Sequence, residues 1–177
     1  MRRISVVGTS GSGKSRLARE LAEVLAVPCI ELDAIFHQPG WVPLPRQEFR
    51  ARVEAVAAGD GWVIDGNYSS SAGPLVWRRA DTVVWFDLPR RTVMRQIIVR
   101  TLRRISSRAE LWNGNRERWR NFFSLNPQQS VIAWAWTKHA VYRQQYQAAA
   151  LDPANAHLTF IRIANRADAD RLIARAR

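Results

Sequence analysis

One cysteine in 177 residues removes any internal disulfide from the account. That agrees with a reducing compartment. Cys29 lies in an apolar strand pattern, where a small buried core residue is the ordinary reading. No apolar run approaches the ~20 residues of a membrane-spanning helix, so no span is expected. The chain begins Met-Arg-Arg, but the apolar stretch behind it is too short for a signal peptide, and a cytoplasmic protein is expected. Histidine is scarce at three residues, and no Cys/His cluster has zinc spacing. Acid is also short: 15 Asp and Glu face 27 Lys and Arg, a net charge of +12. An excess of that size points to nucleic acid, an acidic membrane surface or a polyanionic small substrate. Otherwise 47% hydrophobic and 24% charged residues are ordinary for a globular protein. The length suits one domain over residues 1–177.

Against these shortages stands one dense motif. Residues 8–15 read Gly8-Thr9-Ser10-Gly11-Ser12-Gly13-Lys14-Ser15, matching G-x-x-x-x-G-K-[ST]. Ile4-Ser5-Val6-Val7 before it is short and apolar, as a buried strand is. Leu17, Leu21, Val24 and Leu25 after it fall at helical spacing. Strand, loop and helix form the setting that gives this motif its meaning. The glycines let backbone N–H groups close on phosphate oxygens, and the helix N-terminus adds positive potential. Lys14 is placed to reach the β- and γ-phosphates of ATP, and Ser15 to hold Mg²⁺.

Strand and helix signals alternate along the rest. Strands are expected at about Ile4–Val7, Pro28–Leu32, Trp62–Ile64, Thr82–Phe86 and His157–Ile163. Helices are expected from Lys14 to Ala26, from Arg46 with Phe49, Val53 and Val56 inward, after Pro89 with Met94, Ile98, Leu102 and Ile105 inward, from Gln129 to Ala149, and from Ala167 onward. This alternation argues for an α/β fold with a parallel sheet covered on both faces. Ligands in such sheets sit at the carboxyl ends of strands. Asp33, Asp65 and Asp87 each follow a strand signal.

Each acid has two readings. Asp65 suits a Mg²⁺-supporting acid or an Asp-Gly turn. Asp33 suits a group facing a phosphoryl acceptor or a cap. Asp87 is read chiefly as the N-cap of the helix after Pro89. His37 is a lone loop histidine, more often structural than catalytic. The segment from Arg90 to Arg120 carries Arg90, Arg91, Arg95, Arg100, Arg103, Arg104, Arg108, Arg116, Arg118 and Arg120. Such a run is a solvated face or a closing segment that stabilises phosphoryl charge. Arg100 and Arg104, one helical turn apart, could grip one anion together. Trp112, Trp119, Phe122 and Phe123 interleave with these arginines, either as base-stacking platforms or as packing.

The loop Gly8–Ser15, the run Val63-Ile64-Asp65-Gly66-Asn67-Tyr68, Asp87-Leu88-Pro89 and the Arg-rich segment together resemble the small P-loop nucleoside and nucleotide kinases. Within these the chain is most similar to adenylate-kinase-like bacterial sequences described as DNA topology modulation proteins. The resemblance implies a three-layer α/β P-loop NTPase fold, with five parallel strands in the order 2-3-1-4-5. It implies a lid over ATP at about residues 104–126, with Arg100 near its base and Arg104 beside it. It implies nucleotide contacts from Gly8, Ser10, Gly11, Ser12, Gly13, Lys14, Ser15 and Leu17, and adenine packing by Ala164-Asn165-Arg166-Ala167. Mg²⁺ falls to Ser15 and Asp65, and the chemistry to Lys14, Asp33, Arg100 and Arg104. Two positions depart from relatives. Adenylate kinases continue Asp-Gly with Phe-Pro-Arg, whereas this chain has Asn67-Tyr68-Ser69. Shikimate kinases carry a second aspartate two residues after the one that Asp33 resembles, and here that residue is Ile35.

The leading expectation is therefore an ATP- and Mg²⁺-dependent phosphotransferase with an unidentified small-molecule acceptor, working as a monomer or homodimer. A nucleic-acid-binding nucleotide switch and a simple ATPase are the alternatives.

Overall fold

A computed structural model of the chain describes residues 1–68 and 72–177. The β-branched run at the start forms β1 (Arg3–Gly8), and the phosphate-loop motif leads into α1 (Lys14–Leu25). Then follow β2 (Cys29–Glu31) and the five-residue α2 (Leu32–Phe36). A small antiparallel hairpin, β3 (His37–Gln38) and β4 (Val42–Pro43), precedes α3 (Arg46–Ala57). Next come β5 (Trp62–Asp65), α4 (Gly73–Trp77), β6 (Thr82–Phe86) and α5 (Arg90–Ser106). The short α6 (Trp119–Phe122), the long α7 (Val131–Leu151), β7 (Thr159–Ile163) and α8 (Arg166–Ala176) complete the chain.

The central sheet runs β2-β5-β1-β6-β7, all parallel. Counting only these five strands, that is the expected order 2-3-1-4-5. Successive strand residues point to opposite faces, so each strand feeds two cores. Trp62, Ile64, Val83 and Trp85 face one side, against Phe49 and Val53 of α3 and Tyr146 of α7. Ile4, Val6, Val63 and Val84 face the other, against Leu17 and Leu21 of α1 and Leu172 of α8. Burial on both faces explains why the strands read as continuous apolar runs.

Several local expectations are corrected. Cys29 is only partly buried at the rim of the second core, and burial raises its thiol pKa to about 11. β2 ends at Glu31, and Asp33 sits in the first turn of α2 instead of closing a strand. The buried face of α5 is Val93, Ile97, Thr101 and Ile105, not the stripe Met94, Ile98 and Leu102. The cause is Gly11: a Cβ there would lie 2.6 Å from the Cβ of Ile97, so the bare glycine lets Ile97 pack onto the phosphate loop. Asp87 does not cap α5, whose N-cap position is Pro89 without a side-chain bond. The Asp87 carboxylate, 4% exposed, instead receives Arg143 Nε at 2.6 Å and Arg162 Nε at 2.8 Å. Arginines from α7 and β7 thus claim it, and bind the sheet end to the long helix.

That pairing makes a stability prediction. Asp87→Asn keeps the volume but removes two charge-assisted acceptors, and is expected to cost about 1.5–3 kcal/mol. Urea unfolding should show a lower midpoint at unchanged slope.

Candidate active site

The phosphate loop is held open by its surroundings. Gly11 and Gly13 have φ of 86° and 95°, the left-handed region that glycine enters without steric cost. Within the loop, the Ser12 N–H donates to the Thr9 carbonyl at 3.1 Å. The N–H groups of Gly11, Gly13, Lys14 and Ser15 have no protein acceptor among the described residues. They stand at the N-terminus of the 12-residue α1, whose first turn holds no acid to compete for an anion.

Lys14 is almost buried, and its Nζ lies 3.8 Å from Oδ1 of Asp65 at the end of the neighbouring strand. That oxygen has no hydrogen-bond partner among the described residues. Burial pushes the Asp65 pKa up, against the pull of Lys14 and the Ser15 hydroxyl. A carboxylate in this state gains from a second cation.

Gly8 is used differently from expectation. Its N–H donates to Asn67 Oδ1 at 2.9 Å, and Asn67 Nδ2 donates back to the Gly8 carbonyl at 2.9 Å. Gly8 therefore anchors the loop and does not line the cleft. Tyr146 Oη, fully buried on α7, donates to the same Asn67 oxygen at 3.0 Å. Leu17 borders the cleft but is 2% exposed and belongs to the core. Asn165 caps α8, accepting the Asp168 N–H at 3.1 Å, while Arg166 pairs with Asp170 at 2.9 Å. Both line the cleft near Leu88 and Ala169.

The cleft has a volume of about 1760 Å³ and brings Lys14, Ser15, Asp33, Arg100 and Arg104 to one wall system. Arg100 and Arg104 do not share a partner. Arg100 Nη2 donates to Ser10 Oγ at 3.3 Å, and its Nε is buried without an acceptor among the described residues. Burial lowers its pKa to about 10, with the Arg104 charge adding to the effect. Arg104 pairs with Glu117 at 3.1 Å. Asp33 Oδ1 accepts Tyr68 Oη at 2.7 Å.

The arginine-rich segment is held by its own polar side chains, of which Asn113 and Asn115 were not singled out by the sequence. Trp112 Nε1 donates to Glu31 Oε2 at 2.7 Å, so this ring is turned into the wall of the cleft, not outward toward a nucleic acid. Asn115, 3% exposed, accepts the Trp41 N–H at 2.8 Å and donates to the carbonyls of Gln38 and Trp112. Asn113 donates to the carbonyls of Ala34 and His37. The segment is latched onto the β3–β4 hairpin. Trp119 and Phe123 remain exposed, packed on each other and on Phe122. His139 bonds the Leu88 carbonyl and His157 the Trp77 carbonyl, so both are structural. Asn115 carries no sequence motif. Asn67 and Tyr68 stand out in the sequence as the continuation of Asp65-Gly66, but without the roles they take here.

No protein-family profile and no curated protein matches the chain. Solved structures do. A shikimate kinase from Bacteroides thetaiotaomicron aligns over 98% of this chain and 95% of its own, at 15% identity and a TM-score of 0.54. A shikimate kinase from Acinetobacter baumannii, solved with shikimate, aligns over 99% and 90%, at 17% identity and 0.55. A gluconokinase from Sinorhizobium meliloti aligns over 98% and 92%, at 19% identity and 0.52. The chain thus shares the fold of these structures. No helix of the described residues is long and apolar enough to cross a membrane.

Arg100 is a buried cation facing the phosphate loop, and at neutral pH it is fully charged. Its pKa is depressed on folding, so the cost of burying the charge is constant across the neutral range and eases only as pH rises past about 10. Arg100→Met is expected to raise the ligand-free Tm by roughly 2–4 °C, for about 1 kcal/mol gained. The same variant should lose most of the Tm increase expected when ATP is added to the wild-type protein. Differential scanning fluorimetry with and without ATP reads both.

Proposed function

We propose that the protein is an ATP- and Mg²⁺-dependent phosphotransferase that transfers the γ-phosphoryl group to a small-molecule hydroxyl. The observation that carries this reading is the unpartnered, buried Asp65 Oδ1 beside Lys14, at the mouth of a loop whose N–H groups lack acceptors. Each of these atoms lacks what a Mg²⁺-bound nucleotide has. The orphan Ser12 Oγ and Arg100 Nε extend the same pattern.

The division of labour follows from position. The loop amides, Lys14 and the N-terminus of α1 bind the phosphates of ATP. Ser15 and Asp65 hold Mg²⁺, which supplies neutralisation of charge on the β- and γ-phosphates. Arg100 stands across the loop from α1, where it offsets charge developing on the transferred group. Residues 104–126 act as the lid, with Arg118 exposed on its cleft side. Asn165 and Arg166 border the base. Asp33, held by Tyr68, faces the acceptor. It orients the hydroxyl and takes its proton as the oxygen attacks. The low-dielectric surroundings of the loop strengthen each of these interactions. The likeness to kinases of known fold agrees with this reading, and the fold also hosts other chemistry.

Asp33→Asn keeps the Tyr68 contact and removes the base. Acceptor-dependent ADP release should fall by at least about a hundredfold in kcat, with the ATP-induced Tm shift unchanged. A variant that turns over at the wild-type rate would remove Asp33 from the chemistry.

A further inference from the structure

The acceptor end of the cleft has a charge balance and wall chemistry of its own, and these define what fits there. Two of its arginines are already matched. Arg104 pairs with Glu117 at 3.1 Å, and Arg19 with Glu31 at 3.4 Å. Arg100 is turned to Ser10 on the donor side. Asp33 forms no ion pair among the described residues, although the Arg100 charge acts on it across the cleft. An acceptor bearing a carboxylate or phosphate would meet the carboxylates of Glu31, Asp33 and Glu117 here, and the forks of Arg19 and Arg104 are already engaged by two of them.

The polar atoms that remain accept hydrogen bonds or stand neutral. Glu117 Oε2 is buried with no partner among the described residues, and so is His37 Nδ1. Burial lowers the His37 pKa, so the ring is neutral at pH 7. Asp33 uses one oxygen for Tyr68, leaving the other without a donor among the described residues. A buried carboxylate oxygen with no donor is costly, and a ligand hydroxyl removes that cost. The remaining wall is aromatic. His37 lies edge-on to Trp41, with centroids 5.2 Å apart, and parallel to Trp112 at 6.2 Å. Phe36 and Tyr68 pack together at 5.0 Å behind Asp33. Flat apolar faces receive the face of a ring.

We infer that the acceptor is an uncharged, hydroxyl-bearing ring compound, of the nucleoside or neutral-sugar class. Its hydroxyls are held by Asp33 and Glu117, and its ring face lies against Trp41 and Trp112. Glu117 and Trp112 come from the arginine-rich segment, so the segment that borders the donor also sets acceptor specificity. In the reaction the acceptor oxygen bonds to the γ-phosphorus, and the bond from that phosphorus to the β–γ bridging oxygen breaks. The hydroxyl proton passes to Asp33, and ADP leaves with the bond's electron pair. This inference rests on the kinase reading.

The test offers wild-type protein ATP, Mg²⁺ and one acceptor at a time, and follows phosphorylated product by mass spectrometry. The neutral arm holds ribonucleosides and neutral pentoses and hexoses. The anionic arm holds hydroxy acids, sugar acids and nucleoside monophosphates. Product in the neutral arm only is the expected result, with the two neutral classes telling base stacking from sugar stacking. Product in the anionic arm overturns the inference and leaves the kinase reading standing. No product in either arm, with ATP still bound, overturns both. Glu117→Gln should then raise KM for the neutral acceptor about tenfold at nearly constant kcat. A retained ATP-induced Tm shift would show that this variant is folded. An unchanged KM would remove Glu117 from the acceptor site.

Discussion

The backbone N–H groups of Gly11, Gly13, Lys14 and Ser15 have no acceptor among the described residues, and much of the structure serves to keep them that way. Amides without a protein acceptor gain from any carbonyl within reach, so the loop would close onto itself if it were free to move. It is not free. Asn67 grips both polar groups of Gly8 where the loop begins. Tyr146 fixes Asn67 from the long helix α7. Ile97 of α5 packs against Gly11 in the middle, and α1 continues from Lys14 at the far end. Three elements distant in sequence therefore hold seven residues in a conformation whose natural complement is a polyphosphate.

The same constraint organises the charges. With Ile97 packed on the loop, α5 is rotated so that Arg100 and Arg104 border the cleft. Arg100 supplies positive potential on the donor side, and Glu117 withdraws Arg104 from it. The buried Asp65 adds one negative charge within reach of Lys14. The result is a cleft in which Arg100 forms no ion pair beside the phosphate loop, whereas Arg104 is paired with Glu117. The chain's large net positive charge says nothing of this division, which arises from which arginines find carboxylates.

What the sequence revealed follows from the range of the interactions concerned. The phosphate loop, its strand and its helix are local, and residues 4–25 state them almost completely. The alternation of apolar strands and amphipathic helices indicated a parallel α/β fold, and the resemblance supplied the strand order. The fate of Asp87 depends on Arg143 and Arg162, 56 and 75 residues away, and local spacing favoured a cap that does not exist. The α5 face was misread by one position because both stripes are apolar, and only the glycine opposite decides between them. The latch of Asn113 and Asn115 onto the β3–β4 hairpin consists of side-chain bonds to backbone across more than 70 residues. Nothing in local composition encodes such pairs, which is why the donor half of the site was legible and the acceptor half was not.

On the kinase reading, the open loop, Lys14 and Asp65 form one site for a Mg²⁺-bound nucleotide. Isothermal titration calorimetry of ATP into the wild-type protein and into Lys14→Ala, with Mg²⁺ and with EDTA, addresses it most directly. The account predicts saturable binding near one ATP per chain, tighter with Mg²⁺, and weakened by at least about tenfold without the Lys14 ammonium. Equal affinity in the two proteins, or no heat of binding in the wild type, would contradict it.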